Sequence, residues 1–257
     1  MIAVFDIGNS RIKWARFEPP DANAPIELQD RGALAHDGSA LPAADWQAWP
    51  APAAILVSSV AAEPVWRQLR DWCERHWQQT PQRLIAPARG CGLENAYAQP
   101  QTLGSDRWAA MVAARRLLPE AFCVIDCGTA VTLDFVDADG RHRGGYIVPG
   151  IRLMQQSLAR GTAVPAMPEV TGAAPEPLMP GTSTRQCVEK GSIMAIAGLV
   201  EKACERQAFS CLLTGGDAAV LAAALERPAR VEPDLVLLGL AWIATMQGEP
   251  AAGRRKT

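Results

Sequence analysis

The feature that most constrains this chain is a motif it carries twice, at Phe5 to Trp14 (FDIGNSRIKW) and at Ile125 to Asp134 (IDCGTAVTLD), 120 positions apart. Each copy is an apolar run, an aspartate, one residue, a glycine, and then Asn or Thr. Asp6 matches Asp126, Gly8 matches Gly128, and Asn9 matches Thr129. A single copy is ordinary hairpin chemistry. Two copies, each opening one half of the chain, point to an internal duplication. With 257 residues, length alone allows one large domain or two. The repeat favours two, an N-terminal lobe over 1–119 and a C-terminal lobe over 120–257.

Each copy predicts a strand that ends in a carboxylate and turns at a glycine. Glycine reaches backbone angles closed to other residues and leaves room for a ligand against the main chain. After Asn9 and Ser10, Arg11 and Lys13 alternate with Ile12 and Trp14, so the cations fall on one strand face and the apolar groups on the other. Backbone N–H groups, hydroxyl and amide donors and a lysine then converge beside a carboxylate. That set suits a phosphate chain with its metal ion.

Charge and composition exclude several classes. The net charge is −2 and the sequence pI about 6.0, with cations spread out apart from the tail Arg254 to Lys256. A nucleic-acid binder held by phosphate neutralisation needs more than this. The apolar start Met1 to Phe5 meets Asp6 too soon for a secretory core, and no apolar run approaches the length of a membrane span. Seven cysteines, an odd number without a C-x-x-C pair or a His and Cys cluster at metal spacing, fit a reducing cytoplasm, and Cys123 and Cys127 at a strand end read as small buried thiols.

Along the chain, Pro19 to Pro52 reads as loops with short strands, and Ile55 to Val60 as a buried strand. Val65, Trp66, Leu69, Trp72, Cys73 and Trp77 recur at helical spacing, which predicts a helix over Pro64 to Gln79 with its tryptophans in the core. Arg83 to Ala86 completes a β-α-β unit. A helix opens at Asp106 and stops before Pro119, and an aspartate in a first turn is at least an acceptor for free N–H groups. The same place keeps a carboxylate ionised, as a base for a substrate hydroxyl requires.

In the second half, Cys123 to Asp126 reads as a strand, and Val131, Leu133 and Phe135 alternate with Thr132 and Asp134 as a half-buried one. Asp139 and Gly140 signal a turn into a strand at Gly144 to Val148, with His142 exposed on that hairpin. Leu153 to Ala159 reads as a helix. The proline-rich stretch Gly161 to Gly181 reads as a long loop, a flap or a wrap across a subunit boundary. Ser183 and Gln186 form a capping box for a helix to about Glu205, with Gly191, Ala195 and Gly198 on one face that permits close approach. Cys211 to Thr214 is a strand, Gly215 and Gly216 a turn open to a ligand, and Ala218 to Leu225 a helix. Pro233 to Met246 reads as an apolar helix that closes the second lobe.

The paired D-x-G-[NT] hairpins resemble the phosphate-binding hairpins of the acetate and sugar kinase, Hsp70 and actin superfamily. With Leu103 to Trp108 (LGSDRW), preceded by Tyr97 and Pro100, and with D-x-G-T-A-x-T at Asp126, the chain resembles type III pantothenate kinase from Asp6 to about Trp242. The resemblance implies a two-lobed, duplicated ribonuclease H-like (actin-like ATPase) α/β fold with ATP in the interlobe cleft. It implies transfer of the γ-phosphoryl group to the 4′-hydroxyl of pantothenate, the first step toward coenzyme A, with Mg2+ and a monovalent cation, potassium or ammonium.

By the same resemblance Asp106 is the base, and Asp6, Gly8, Asn9, Ser10, Arg11, Lys13 and Thr129 hold ATP. Tyr97, Gly104, Ser105, Asp106, Arg107 and Thr184 line the pantothenate site, and Asp126 is a ligand of the monovalent cation. Whether Arg107 meets the pantothenate carboxylate or an amide oxygen is left open. A cytoplasmic homodimer without nucleic-acid or membrane partners is implied as well. The rival readings are a kinase of the same superfamily acting on another small polyol, and a non-enzymatic regulatory accessory factor.

Overall fold

A computed structural model of the chain describes residues 1–20, 24–37, 41, 45–164, 179–205 and 208–248. It divides into two compact units, one of Met1–Arg116 together with the chain from Leu235, the other Leu117–Asp234.

In the first unit, β1 (Ile2–Ile7) and β2 (Arg11–Phe17) form the hairpin, followed by β3 (Gln29–Ala35) and β4 (Ala54–Ser59). Helix α1 (Glu63–Trp77) leads to β5 (Gln82–Arg83), a small hairpin of β6 (Arg89–Gly90) and β7 (Leu93–Glu94), and α2 (Ser105–Leu117). The sheet order is β3-β2-β1-β4-β5, antiparallel on the hairpin side and parallel from β1 to β5. In β2, Ile12 and Trp14 are buried while Arg11 is exposed and Lys13 half-buried, as the alternation requires. Ala3, Phe5, Ile7, Ile12, Trp14, Ile55 and Val57 share one face, covered by Val65, Trp66, Leu69, Cys73 and Trp77 of α1 and by Trp46. Pro64 stands in the first turn of α1, where its missing N–H costs nothing, and Gln78 ends the helix in the left-handed region at φ 54°.

The second unit repeats the plan. β8 (Phe122–Cys127), β9 (Ala130–Val136) and β10 (His142–Pro149) precede α3 (Ile151–Gly161) and α4 (Thr184–Ala203), then β11 (Ser210–Thr214), α5 (Ala218–Ala224) and β12 (Ala229–Val231). The sheet order β10-β9-β8-β11-β12 matches the first unit position for position, with the same strand directions. This is the ribonuclease H-like order, present twice in one α/β chain. Its core packs Cys123, Ile125, Leu133 and Leu213 against Ile151, Ile196, Val200 and Leu221 of the helices.

Four expectations change. The last helix, α6 (Leu235–Gly248), packs on β1, β2 and β4 of the first unit rather than closing the second. A helix that is apolar all round carries no face to announce its partner, and Gly239 lets its backbone reach Ala109 of α2, since a Cβ there would lie 1.8 Å from the Ala109 carbonyl oxygen. The strand expected at Arg83 to Ala86 is the two-residue β5. His142 is buried, not exposed, and Asp134 with it: the β10 register shifts between His142 and Gly145, with Gly144 at φ +92°, and the His142 ring meets the Asp134 carboxylate. Finally, neither Gly8 nor Gly128 has a positive φ, so their value lies in an uncluttered surface rather than in unusual angles. Of the proline-rich stretch, 165–178 lies outside the described residues.

Candidate active site

The first unit assembles one polar row. Asp6 near the end of β1 stands opposite Lys13 on β2 and in register with Ser58 on β4. Registered neighbours share a sheet face, so carboxylate, ammonium and hydroxyl lie side by side. The Ser58 hydroxyl is 3.0 Å from that of Ser105, whose oxygen also accepts the Ser59 N–H at 3.2 Å. Those bonds fasten the first turn of α2 to the end of β4. They therefore hold the start of α2, which carries Asp106 next to Ser105, against the strand that neighbours β1.

Asp106 is half-buried, in the first turn of α2, and its Oδ1 accepts the Arg107 N–H at 2.8 Å. The positive end of the helix and that N–H both favour the ionised form. Gly104 makes the fold-back of the carboxylate feasible, since a Cβ at 104 would lie 2.5 Å from Asp106 Oδ1. The guanidinium of Arg107 is buried, donates to the Tyr97 hydroxyl at 2.9 Å, and lies 5.7 Å from the Tyr97 ring centroid. Asn95 fixes the loop that carries Tyr97, donating to the Pro87 and Pro100 carbonyls and accepting the Tyr97 N–H at 3.0 Å. Sequence reading missed Asn95, although ENAY stands five residues before the LGSDRW motif. Asparagine that tethers its own loop is the available signal.

The turn between β1 and β2 leaves Asn9, Ser10 and Arg11 exposed and Gly8 half-buried. Gly8 N–H donates to the Arg11 carbonyl at 2.9 Å, and a Cβ on Gly8 would meet only that oxygen, at 3.4 Å. A ligand can thus lie directly on the main chain.

In the second unit, Asp126 registers with Thr132 on β9 and Thr214 on β11. Its turn is one residue shorter, with Gly128 N–H donating to the Ala130 carbonyl at 3.1 Å. Gly215, at φ +92°, backs onto this turn, because a Cβ there would lie 2.5 Å from the Cys127 carbonyl and 2.6 Å from Asp126 Oδ1. Only glycine fits that approach. Burial, with the Asp126 and Asp217 carboxylates nearby, pushes the Cys127 thiol up, so it stays neutral and inert. Thr184 opens α4 and is exposed, and Ser183 before it accepts the Gln186 N–H at 3.3 Å, as the capping box requires.

The family model that matches this chain describes type III pantothenate kinase and spans residues 2–206. The chain belongs to that family. It is 42% identical over 252 residues to the type III pantothenate kinase of Halorhodospira halophila, covering 93% of this chain and 96% of that one. To the type III pantothenate kinase of Nitrosococcus oceani it is 36% identical over 258 residues, with 95% and 94% covered. A solved Sinorhizobium meliloti structure, of a protein classed as a 2-dehydro-3-deoxygalactonokinase, aligns with TM-score 0.64 over 97% of this chain and 100% of that one. At 14% identity that likeness carries the fold alone. Among the described residues of this type III pantothenate kinase no helix is long and apolar enough to cross a membrane.

Proposed function

We propose that this protein transfers the γ-phosphoryl group of ATP to the 4′-hydroxyl of pantothenate, the reaction that opens coenzyme A synthesis. The family match over residues 2–206 carries the reading, because every residue given a role, from Asp6 to Thr184, falls inside it.

Phosphoryl transfer asks the protein mainly for positioning and charge stabilisation. The Gly8 turn presents main-chain donors and the side chains of Asn9, Ser10 and Arg11, and Lys13 adds a cation, so we assign these with Asp6 to the ATP phosphates. Asp106 is the base that orients the pantothenate hydroxyl and takes its proton. Its place in the first turn of α2, a turn that the Ser58 and Ser105 hydroxyls tie to the strand next to β1, supports that role. We assign Tyr97, Gly104, Ser105, Arg107 and Thr184 to pantothenate. The Ser105 hydroxyl is already engaged with Ser58 and Ser59, which leaves it a holding rather than a reacting part.

For the second unit we assign Thr129 to the nucleotide and Asp126 to a monovalent cation. The carboxylate of Asp126 between two threonine positions is a hard-oxygen set of the kind potassium or ammonium accepts. Asp6 is likewise a hard donor, and suits a magnesium ion that keeps phosphate and water as its other ligands. When bound, magnesium neutralises charge on the phosphoryl oxygens.

A homodimer fits α4, whose Gly191, Ala195 and Gly198 are exposed beside Met194 and meet nothing within the unit at either glycine. Seven unpaired thiols support a cytoplasmic site.

ADP release from ATP and magnesium, with and without pantothenate, in potassium and then sodium buffer, tests the assignment. Release that depends on pantothenate and falls when potassium is withdrawn is the expected result. Release that ignores pantothenate removes the substrate, and equal release in both buffers removes the Asp126 assignment.

A further inference from the structure

The turn after β1 is held by more than its own backbone. His36, 28 positions beyond Gly8 and just past the end of β3, reaches it twice. Its N–H donates to the Ser10 carbonyl at 3.0 Å, and its imidazole Nε2 lies 2.8 Å from the Gly8 carbonyl. A carbonyl oxygen only accepts, so Nε2 carries the hydrogen and the ring is fixed in that form.

The consequence is directional. A carbonyl facing an anionic ligand repels it, whereas an N–H attracts it. Within a trans peptide unit the carbonyl and the following N–H point opposite ways, so a Gly8 carbonyl tied to His36 aims the Asn9 N–H away from His36. The second unit makes the same main-chain bond without a side chain, from Gly150 N–H to the Thr129 carbonyl at 2.9 Å. There the backbone of Gly150 itself covers the turn, since a Cβ at 150 would stand 2.3 Å from the Gly128 carbonyl oxygen. In both units the residue just after the third strand meets the carbonyl of the turn glycine. The first unit alone uses a side chain to do it.

We propose that His36 is a positioning residue for nucleotide binding, which holds the Gly8 and Ser10 carbonyls back so that the Asn9 N–H faces the phosphates. The inference rests on the assignment of this turn to ATP.

The test is titration calorimetry of the full-length protein with a non-hydrolysable ATP analogue plus magnesium, and separately with adenosine, which has no phosphates. His36→Ala is expected to weaken the analogue about tenfold, the scale of one lost hydrogen bond, and to leave adenosine unchanged. His36→Gln, which keeps an N–H donor, is expected to recover most of the loss. Unchanged analogue binding in His36→Ala, an equal loss for both ligands, or no recovery with Gln overturns the proposal. In the wild-type protein, where folding is not in question, the Asn9 amide resonance is expected to shift with the analogue and to stay with adenosine. An Asn9 amide that ignores the analogue overturns the proposal too. If the wild-type protein binds neither ligand, the kinase reading itself falls, and the His36 assignment falls with it.

Discussion

The two turns that end β1 and β8 share a main-chain pattern and differ in what surrounds it. After the third strand of each sheet, one N–H returns to the turn, from His36 to Ser10 and from Gly150 to Thr129. Around that bond the side chains diverge. The first sheet sets Lys13 beside Asp6, and the second sets Thr132 beside Asp126. A histidine covers the first glycine carbonyl, and bare backbone covers the second. Duplication therefore kept the scaffold while the neighbour of the aspartate changed, a lysine in one copy and a threonine in the other.

The histidines sharpen this contrast. His142 of the second unit bonds not to its turn but to Asp134, Nε2 to Oδ1 at 3.0 Å, and both side chains are almost wholly buried. Truncation by His142→Ala leaves that carboxylate without this donor and is expected to cost about 3 kcal/mol or more in urea unfolding. His36 is only half-buried, and His36→Ala is expected to cost about 1 kcal/mol. Equal losses at the two sites would break the distinction between a histidine that holds the fold and one that positions a turn.

Next in size is Gly150→Ala. The added methyl has no room against the Gly128 and Thr129 carbonyls, at 2.3 and 2.7 Å, so the turn must shift at about 1–3 kcal/mol. A thermal midpoint equal to that of the wild type would show that the second turn is held less tightly than the distances state.

The smallest effect concerns pH. Burial raises the Glu201 carboxyl, but hydrogen bonds from the Arg227 side chain and from the N–H groups of Arg227 and Glu226 outweigh it and hold the group below the usual glutamate range. A depressed folded value means that the unfolded chain binds the proton more readily. The contribution is therefore full above the ordinary glutamate range and fades as pH falls through the lower folded value. Both side chains are more than a fifth exposed, so Glu201→Gln is expected to remove less than about 1 kcal/mol of stability near neutrality, and to flatten this part of the acid limb. An acid limb of unchanged slope would contradict the assignment.

What the sequence made legible was local. The hairpins, α1 and the cap of α4 could be read because periodicity, a turn glycine and a Ser-x-x-Gln pattern each act within a few residues. What escaped acts over distance. The bond from His36 to Gly8 spans 28 positions, and nothing near either residue announces it. Alternation in β9 placed Asp134 on the solvent side, and only the register shift in β10 brings His142 over it. Helix α6 carried too little polarity to reveal which sheet it joins. Asp106 was readable as a first-turn acceptor, but the Ser58 and Ser105 link that ties its helix to β4 requires the sheet to exist first.

Transfer of γ-labelled phosphate from ATP to pantothenate, followed side by side in the wild type and in Asp106→Asn, tests the central claim most directly. The expected result is label on the pantothenate 4′-oxygen in the wild type, with Asp106→Asn slower by about 10²-fold or more while ATP binding is unchanged. An Asp106→Asn variant that labels pantothenate at the wild-type rate, or a wild-type protein that leaves it unlabelled, would contradict the account.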